Sequence, residues 1–131
     1  MQPVINMITL GVKDLAVATT FYQNGLGFPK IAIDSEGVSF FELAGAWLSL
    51  FPWEELAKDA GVSPAGSGFR GMALAQTVAS EAKVDAILAQ AVSAGGKLIK
   101  PGQKVFWGGY SGYFADPDGH KFNVLLVEEG M

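Results

Sequence analysis

The chain has 131 residues, of which 50% are hydrophobic and 17% charged, so it can form one domain or two half-domains that share a core. Its formal net charge of -4 and the lack of any Lys/Arg run argue against a nucleic-acid or acidic-membrane surface, because such surfaces need clustered basic side chains. The sequence contains no cysteine, which excludes disulfides, thiolate nucleophiles and cysteine metal sites. It shows neither a signal peptide nor an apolar run near the ~20 residues of a membrane span, so we expect a cytoplasmic protein.

The first half of the chain predicts a strand, a helix and three further strands. The first strand covers 5–12, where apolar residues alternate between two faces. Asp14 is the predicted N-cap of the helix, and Gly25 is its predicted end. Three short strands follow, at 30–33, 38–43 and 47–51. A helical turn then begins near Pro52, and the small and turn-forming residues at 57–68 predict a linker.

The second half repeats this order of elements. It predicts a strand at 71–76 and a helix that begins at Ser80 and ends at Gly95. The remaining predicted strands lie at 97–99, 105–107, 110–115 and 121–127. When the halves are aligned by element, Leu10 matches Leu74, and Ser49 matches Asn123.

This duplication predicts an α+β fold of two tandem βαβββ modules. Module one covers about 4–56, the linker about 57–68 and module two about 69–128, all within a single domain. Because a half of about 60 residues would bury too little surface alone, we expect the two modules to pair.

The clearest hairpin signal lies near the C-terminal end. Asp116-Pro117-Asp118-Gly119 fits a type I turn, because proline presets φ and the aspartates can bond their own backbone. Aromatic and β-branched runs flank the turn, so it predicts a hairpin. Alternation from this turn places Lys121, Asn123 and Leu125 on one face of the last strand. His120 then points away and has a structural or surface role, with a general acid or base role as the alternative.

These residues resemble the vicinal oxygen chelate superfamily, which includes glyoxalase I, extradiol dioxygenases and bleomycin-resistance proteins. In module one the matching segments are Ile8–Leu15, Phe21-Tyr22 and Gly25–Phe28. In module two they are Ala94–Gly96 and Phe114–His120. The resemblance covers nearly the whole chain. It implies two modules that form a cupped sheet around a cavity, often in a homodimer.

The metal-using members of that superfamily place four ligands, usually His, Glu or Gln, on the first and last strands of the two modules. The resemblance and the internal repeat assign these positions here to Met7, Ser49, Gly71 and Asn123. None is a usual ligand for a catalytic divalent metal, although an asparagine carbonyl suits calcium-like sites with further oxygens. The single histidine also excludes a two-His-one-carboxylate iron site within one subunit. We therefore predict no metal and no cofactor.

Alternation along the strands predicts a mostly apolar wall with a few hydrogen-bonding groups, the usual composition of a small-molecule site. The predicted ligand-binding residues are Met7, Thr9, Trp47, Ser49, Phe51, Trp107, Tyr110, Asn123 and Leu125. For the aromatic residues, the alternative is a place in the core or in a dimer contact. Because an empty apolar cavity loses contacts on its walls, either a ligand or bulky side chains should fill a cup that has no metal.

Three functions fit this sequence. The first is metal-independent binding of a drug or metabolite by a homodimer, as in bleomycin-resistance proteins; the acidic chain favours a cationic ligand, and Trp47 or Trp107 a planar one. The second is a glyoxalase- or dioxygenase-like enzyme with an atypical or absent metal site, working through Tyr110, Tyr113 or His120. The third is a vestigial module that serves mainly as a dimerising partner.

Overall fold

A computed structural model of the chain describes residues 1–33 and 35–127. The chain divides into two compact units, Met1–Gly68 and Phe69–Met131. The first contains a three-stranded sheet and the second a four-stranded sheet, and each sheet combines parallel and antiparallel pairs. These sheets and their helices confirm the predicted α+β class.

The first unit contains β1 (Met7–Val12), α1 (Leu15–Thr20), a π-helical turn (Phe21–Gly25), β2 (Ser39–Glu42), β3 (Trp47–Pro52) and α2 (Trp53–Ala60). Its strand order is β1-β3-β2, with β1 parallel and β2 antiparallel to β3. The strands are rich in β-branched and aromatic residues that fit a half-buried pleated surface.

Helix α1 begins at the predicted residue. The Asp14 carboxylate accepts a hydrogen bond of 3.1 Å from the Val17 N–H and so satisfies one of the free donors of the first turn. The helical segment ends at Gly25 as predicted, because Gly25 is the last residue of the π-helical turn that continues α1. Gly27, with φ 77°, supplies the left-handed conformation that leaves the helix.

The core of the first unit lies between its sheet and α1. Its buried hydrophobic side chains are Leu10, Val12, Ala18, Phe21, Tyr22, Phe41, Leu48 and Leu50. The rings of Phe21 and Tyr22 meet edge to face, with centroids 5.0 Å apart. Ser39 of β2 lies 2.8 Å from Thr19 of α1, Oγ to Oγ1, so a polar contact also ties α1 to this face of the sheet.

The predicted strand at 30–33 is wrong. This segment pairs with β2 through one isolated β-bridge, between Lys30 and Phe41. The Ile31 N–H also bonds to the Phe40 carbonyl at 2.8 Å, but the Ile33 N–H bonds back to the Ile31 carbonyl at 2.9 Å and does not continue the ladder with β2. The first unit therefore has one strand fewer than the predicted βαβββ module.

The predicted linker begins too early, because α2 extends to Ala60. Glu54 and Glu55 lie in its first turn and Lys58 in its last, an arrangement that favours a helix through its macrodipole. Gly61, with φ 75°, ends the helix in the left-handed region. The irregular part of the connection is therefore shorter than the sequence predicts.

The second unit contains β4 (Ala73–Thr77), α3 (Glu81–Ser93), β5 (Lys97–Lys104), β6 (Tyr110–Ala115) and β7 (Lys121–Leu126). Its strand order is β4-β7-β6-β5, with β4 parallel to β7 and the other pairs antiparallel. Ser80 caps α3 as predicted, since its hydroxyl accepts a bond of 3.1 Å from the Lys83 N–H. The predicted strand at 105–107 is wrong, because these residues begin a turn that the Val105 N–H closes onto the Gly109 carbonyl at 3.0 Å.

Helix α3 packs closely against one face of this sheet. Val84, Leu88 and Ala91 are its buried residues. A Cβ at Gly112 of β6 would lie only 2.5 Å from Leu88 Cδ1, so glycine permits this approach. On the neighbouring strands the rings of Phe114 and Phe122 stack with centroids 5.0 Å apart.

The hairpin between β6 and β7 has the predicted turn. The Asp116 side chain is fully buried, and its carboxylate accepts hydrogen bonds from the N–H groups of Asp118 at 2.9 Å and His120 at 2.8 Å. The second carboxylate oxygen lies 2.8 Å from Nδ1 of His120. Gly119 adopts φ 90°, which a side chain would disfavour. The turn is thus held by one buried carboxylate.

Candidate functional site

One face of the first sheet contains five of the predicted ligand-binding residues. The strand register places the residues of this face in three neighbouring pairs: Met7 and Trp47, Thr9 and Ser49, and Gly11 and Phe51. Because side chains alternate along a strand, they lie opposite the face that carries the buried Leu10 and Leu48. We call this surface the Ser49 face. The register brings these residues together, and their role in binding stays a prediction.

The Ser49 face combines exposed apolar side chains with a buried hydroxyl. Met7 and Trp47 are 43% and 36% exposed, whereas Ser49 is 3% exposed. Phe40 of β2 lies beside Ser49, and its ring centroid is 6.2 Å from that of Trp47. Phe40 was not among the predicted ligand-binding residues, although its alternation with the buried Phe41 on β2 indicates that it lies on this face.

Helix α2 covers one end of the Ser49 face. A Cβ at Gly11 would lie 3.2 Å from Trp53 Cε3 and 3.4 Å from Leu56 Cδ2, so the absence of a side chain lets the helix reach the sheet. The Trp53 indole N–H donates to the Pro64 carbonyl at 2.9 Å and fixes the ring. Trp53 thus closes this end of the face by packing on the sheet, a cover that the predicted short helical turn did not reveal.

The second sheet has a comparable surface, which we call the Asn123 face. It contains Ala73, Ala75, Ser111, Tyr113, Asn123 and Leu125. Asn123 lies between Ala75 on β4 and Tyr113 on β6. The register agrees with the predicted shared face of Lys121, Asn123 and Leu125, and it adds Ser111 and Tyr113 next to Asn123.

The Asn123 amide is held by the neighbouring strand. Its Nδ2 donates to the Ser111 Oγ at 2.7 Å and to the Gly112 carbonyl at 2.9 Å. The Gly112 carbonyl can only accept a hydrogen bond, which requires the amide nitrogen to face it. The amide therefore has a defined orientation.

Tyr110 lies on the other side of the sheet from Asn123. Its hydroxyl donates to Asp85 Oδ1 of α3 at 2.9 Å, and it alternates with Ser111 of the Asn123 face. Tyr110 therefore does not share the Asn123 face, and its role in ligand binding stays a prediction. The two glycines at 108–109, just before β6, show no hydrophobic alternation from which the face of the sheet that carries Tyr110 could be predicted.

The contact with Asp85 has a consequence for pH. The hydrogen bond to the Asp85 carboxylate raises the pKa of Tyr110 from 10.0, with further contributions from desolvation and from the charges of Asp85 and Glu81. Because the folded-state pKa is raised, this stabilisation is complete below pH 10.0 and is lost as pH rises through the folded-state value. We expect Asp85→Asn to lower the pKa of Tyr110 in an ultraviolet titration. The titration step that is missing in Tyr110→Phe identifies the signal of Tyr110. An unchanged step in Asp85→Asn would contradict this cause.

Trp107 lies in the turn between β5 and β6, and its ring packs on the backbone of Gly109. The ring occupies the space that a Cβ at Gly109 would take, and the same Cβ would lie 2.5 Å from the Leu126 carbonyl oxygen. Gly109 is buried, whereas Trp107 is half-buried. Trp107 is thus packed against its own hairpin.

The strand register shows that two of the predicted matches between the halves conflict. Thr9 lies opposite Ser49, and Ala75 lies opposite Asn123. If Ser49 matches Asn123 in the repeat, Met7 matches Ala73; if Leu10 matches Leu74, Met7 matches Gly71. The two matches differ by two residues, so they cannot both hold. Gly71 lies at a bend before β4, with φ 76°.

The donors at these positions do not fit a catalytic divalent metal. Met7 offers a thioether, Ser49 a hydroxyl and Asn123 a neutral amide oxygen, whereas such metals prefer imidazole, carboxylate or thiolate. Within residues 1–33 and 35–127, no group of three or more His, Cys, Asp or Glu could hold a metal ion. Nδ1 of the single histidine, His120, contacts Asp116.

A model of the family described as the Glyoxalase/Bleomycin resistance protein/Dioxygenase superfamily matches residues 4–124. The chain belongs to this superfamily. It is 29% identical over 122 residues to the metallothiol transferase FosB of Shouchella clausii, covering 92% of this chain and 77% of that protein. This membership confirms the resemblance that the matching segments of the two modules indicated.

Solved structures of the superfamily share the fold. A glyoxalase-related enzyme from Fulvimarina pelagi is 33% identical with a TM-score of 0.86, covering 95% of this chain and 88% of that one. The lactoylglutathione lyase from Agrobacterium tumefaciens is 22% identical with a TM-score of 0.71, covering 96% and 95%. Among the helices that the structure describes, none is long and apolar enough to cross a membrane.

Proposed function

We propose that this superfamily member binds small organic molecules without a catalytic metal, and that the Ser49 face and the Asn123 face are each a binding surface. The observation that carries the proposal is the Asn123 amide. It stands at the last-strand position assigned to a metal ligand, and it presents only a neutral amide oxygen, because its nitrogen is bonded to Ser111 and Gly112. A neutral amide held in this way suits hydrogen bonding to an organic ligand better than coordination of a catalytic ion.

The composition of the two faces supports the same function. The Ser49 face offers Trp47, Phe40 and Met7 around one hydroxyl, and Trp47 and Met7 remain exposed. The Asn123 face offers Tyr113 and Leu125 beside the amide. A mostly apolar surface with a few fixed polar groups is typical of a small-molecule site. The net charge of -4 favours a cationic ligand through long-range attraction.

The test combines native mass spectrometry with a binding titration. The full chain is purified from cells supplied with iron, zinc, manganese and nickel, and its spectrum reports metal, organic ligand and subunit number together. We expect a metal-free protein, as a homodimer. In the titration, the planar cation proflavine should quench tryptophan fluorescence saturably, and an excess of chelator should leave the dissociation constant unchanged.

Two controls assign the quenching to the proposed surface. Trp47→Phe should remove a large part of the saturable signal, whereas Trp53→Phe should leave the dissociation constant within about twofold, because Trp53 packs on Gly11. A stoichiometric divalent metal, together with binding that the chelator abolishes, would contradict the proposal.

An enzyme of the same superfamily is the second candidate. It is favoured by the names of two relatives, a metallothiol transferase and a glyoxalase-related enzyme. This function requires either a metal held by side chains other than Met7, Ser49 and Asn123, or proton transfer by Tyr110, Tyr113 or His120. It would take first place if the purified chain retained a divalent ion and lost a measurable activity with chelator.

A further inference from the structure

We propose that Asn123 recognises the ligand through its carbonyl oxygen alone, so the ligand must present an N–H or O–H group to this position. This inference rests on the proposed function and adds the chemical class that the Asn123 face accepts. It concerns a hydrogen-bond donor on a planar organic molecule.

The orientation of the amide follows from its partners. An asparagine side chain has two N–H donors on Nδ2 and two acceptor sites on Oδ1, and the two ends are distinguished only by the hydrogen bonds they make. The Gly112 carbonyl, 2.9 Å from Nδ2, has no proton to give. A flipped amide would place two carbonyl oxygens against each other, so the nitrogen must face β6.

Both amide hydrogens are therefore used within the protein. One is donated to Gly112 and the other to the Ser111 Oγ at 2.7 Å. The side chain has no donor left for a carbonyl, carboxylate or phosphate of a ligand. What remains is Oδ1, on a residue that is half-buried between Ala75 and Tyr113.

The surroundings limit how this oxygen can be satisfied. Ala75 has no hydrogen-bonding side chain, and the Ser111 hydroxyl accepts from Nδ2 on the other side of the amide. The Tyr113 ring, directly across the strand pair, gives a planar molecule a surface beside the acceptor. A site that offers only an acceptor rejects an analogue whose donor has been methylated, because the acceptor then loses its partner and the methyl group takes its place.

The test uses two probes that differ in one group. Indole carries an N–H, and 1-methylindole has a methyl group there on a nearly identical ring. Each is titrated into the ¹⁵N-labelled full chain, and chemical shifts of the Asn123 side chain and of β6 and β7 amides are followed. We expect indole to bind roughly 3- to 10-fold more tightly than 1-methylindole, the effect of one neutral hydrogen bond.

Two variants separate the acceptor from general packing. Asn123→Leu replaces the amide by an apolar side chain of similar size and so removes the acceptor. The variant should bind indole and 1-methylindole with about equal dissociation constants. Ser111→Ala removes one partner of Nδ2 but leaves Oδ1, so it should retain a preference for indole while exchange of the Asn123 side-chain amide hydrogens becomes faster. The wild-type probe ratio remains decisive even if Asn123→Leu does not fold.

The outcomes distinguish this inference from the proposed function. Saturable shifts on the Asn123 face with equal affinity for both probes would overturn the acceptor role while leaving small-molecule binding intact. A preference for indole that persists in Asn123→Leu would do the same. If neither probe changes the chemical shifts of the Asn123 face, and proflavine gives no saturable quenching, both the proposed function and this inference are contradicted.

Discussion

Asp116→Ala is expected to lower the free energy of unfolding by about 3 kcal/mol, because three hydrogen bonds end on one buried carboxylate. Two of the donors are the backbone N–H groups of Asp118 and His120, and the third contact is the His120 ring. Alanine would leave these groups without their acceptor in a turn that connects the two central strands of the second sheet. Urea unfolding at neutral pH measures this change, because a lower urea midpoint with an unchanged m-value reports a loss of stability.

The control for this variant is Asp59→Ala, which removes the same charge from an exposed position of α2. It should change the free energy of unfolding by less than about 0.5 kcal/mol. His120→Ala should fall between the two, at about 1 kcal/mol, because it loses the ring contact and keeps both backbone bonds. A loss below about 0.5 kcal/mol in Asp116→Ala would show that the turn does not depend on its carboxylate.

Gly109→Ala is expected to destabilise the protein by about 1–3 kcal/mol and to change the fluorescence of Trp107. The added Cβ would lie 2.5 Å from the Leu126 carbonyl oxygen, a backbone atom that can move only with its strand. It would also take the space that the Trp107 ring now occupies. Either the ring leaves the hairpin or the turn shifts, and both alter the environment of the indole.

Unfolding curves and emission spectra check this prediction. Gly37→Ala is the matched control, because a Cβ at Gly37 meets no atom within 4 Å, and its stability should stay within about 0.5 kcal/mol of the wild type. Subtracting the spectrum of Trp107→Phe isolates the contribution of Trp107 from those of Trp47 and Trp53. A Gly109→Ala protein with wild-type emission and stability would mean that Trp107 does not pack on this glycine.

These results bear on how the superfamily fold is used here. Relatives include a metallothiol transferase, whose name implies a metal, whereas this chain has Met7, Ser49 and Asn123 at positions assigned to ligands. If binding survives a chelator, the fold has kept its ligand surface with a different recognition chemistry. Asn123 would then provide a hydrogen-bond acceptor at a position that was assigned to a metal ligand.

The sequence by itself determined the features that depend on a few adjacent residues. The N-caps Asp14 and Ser80, and the turn at 116–119, involve side chains that bond their own local backbone, so spacing is sufficient to predict them. The shared faces of Met7 with Thr9 and of Asn123 with Leu125 follow from the two-residue period of a strand.

Only the tertiary structure decided the features that depend on contacts between distant segments. The side on which Tyr110 lies follows from α3 and Asp85, and the cover over Gly11 follows from the placement of Trp53. The two-residue conflict between the match of Leu10 to Leu74 and the match of Ser49 to Asn123 follows from strand pairing, which no local pattern encodes. The orientation of the Asn123 amide depends on the Gly112 carbonyl, 11 residues away. Residue type alone cannot predict it, because an asparagine can present either the oxygen or the nitrogen of its amide.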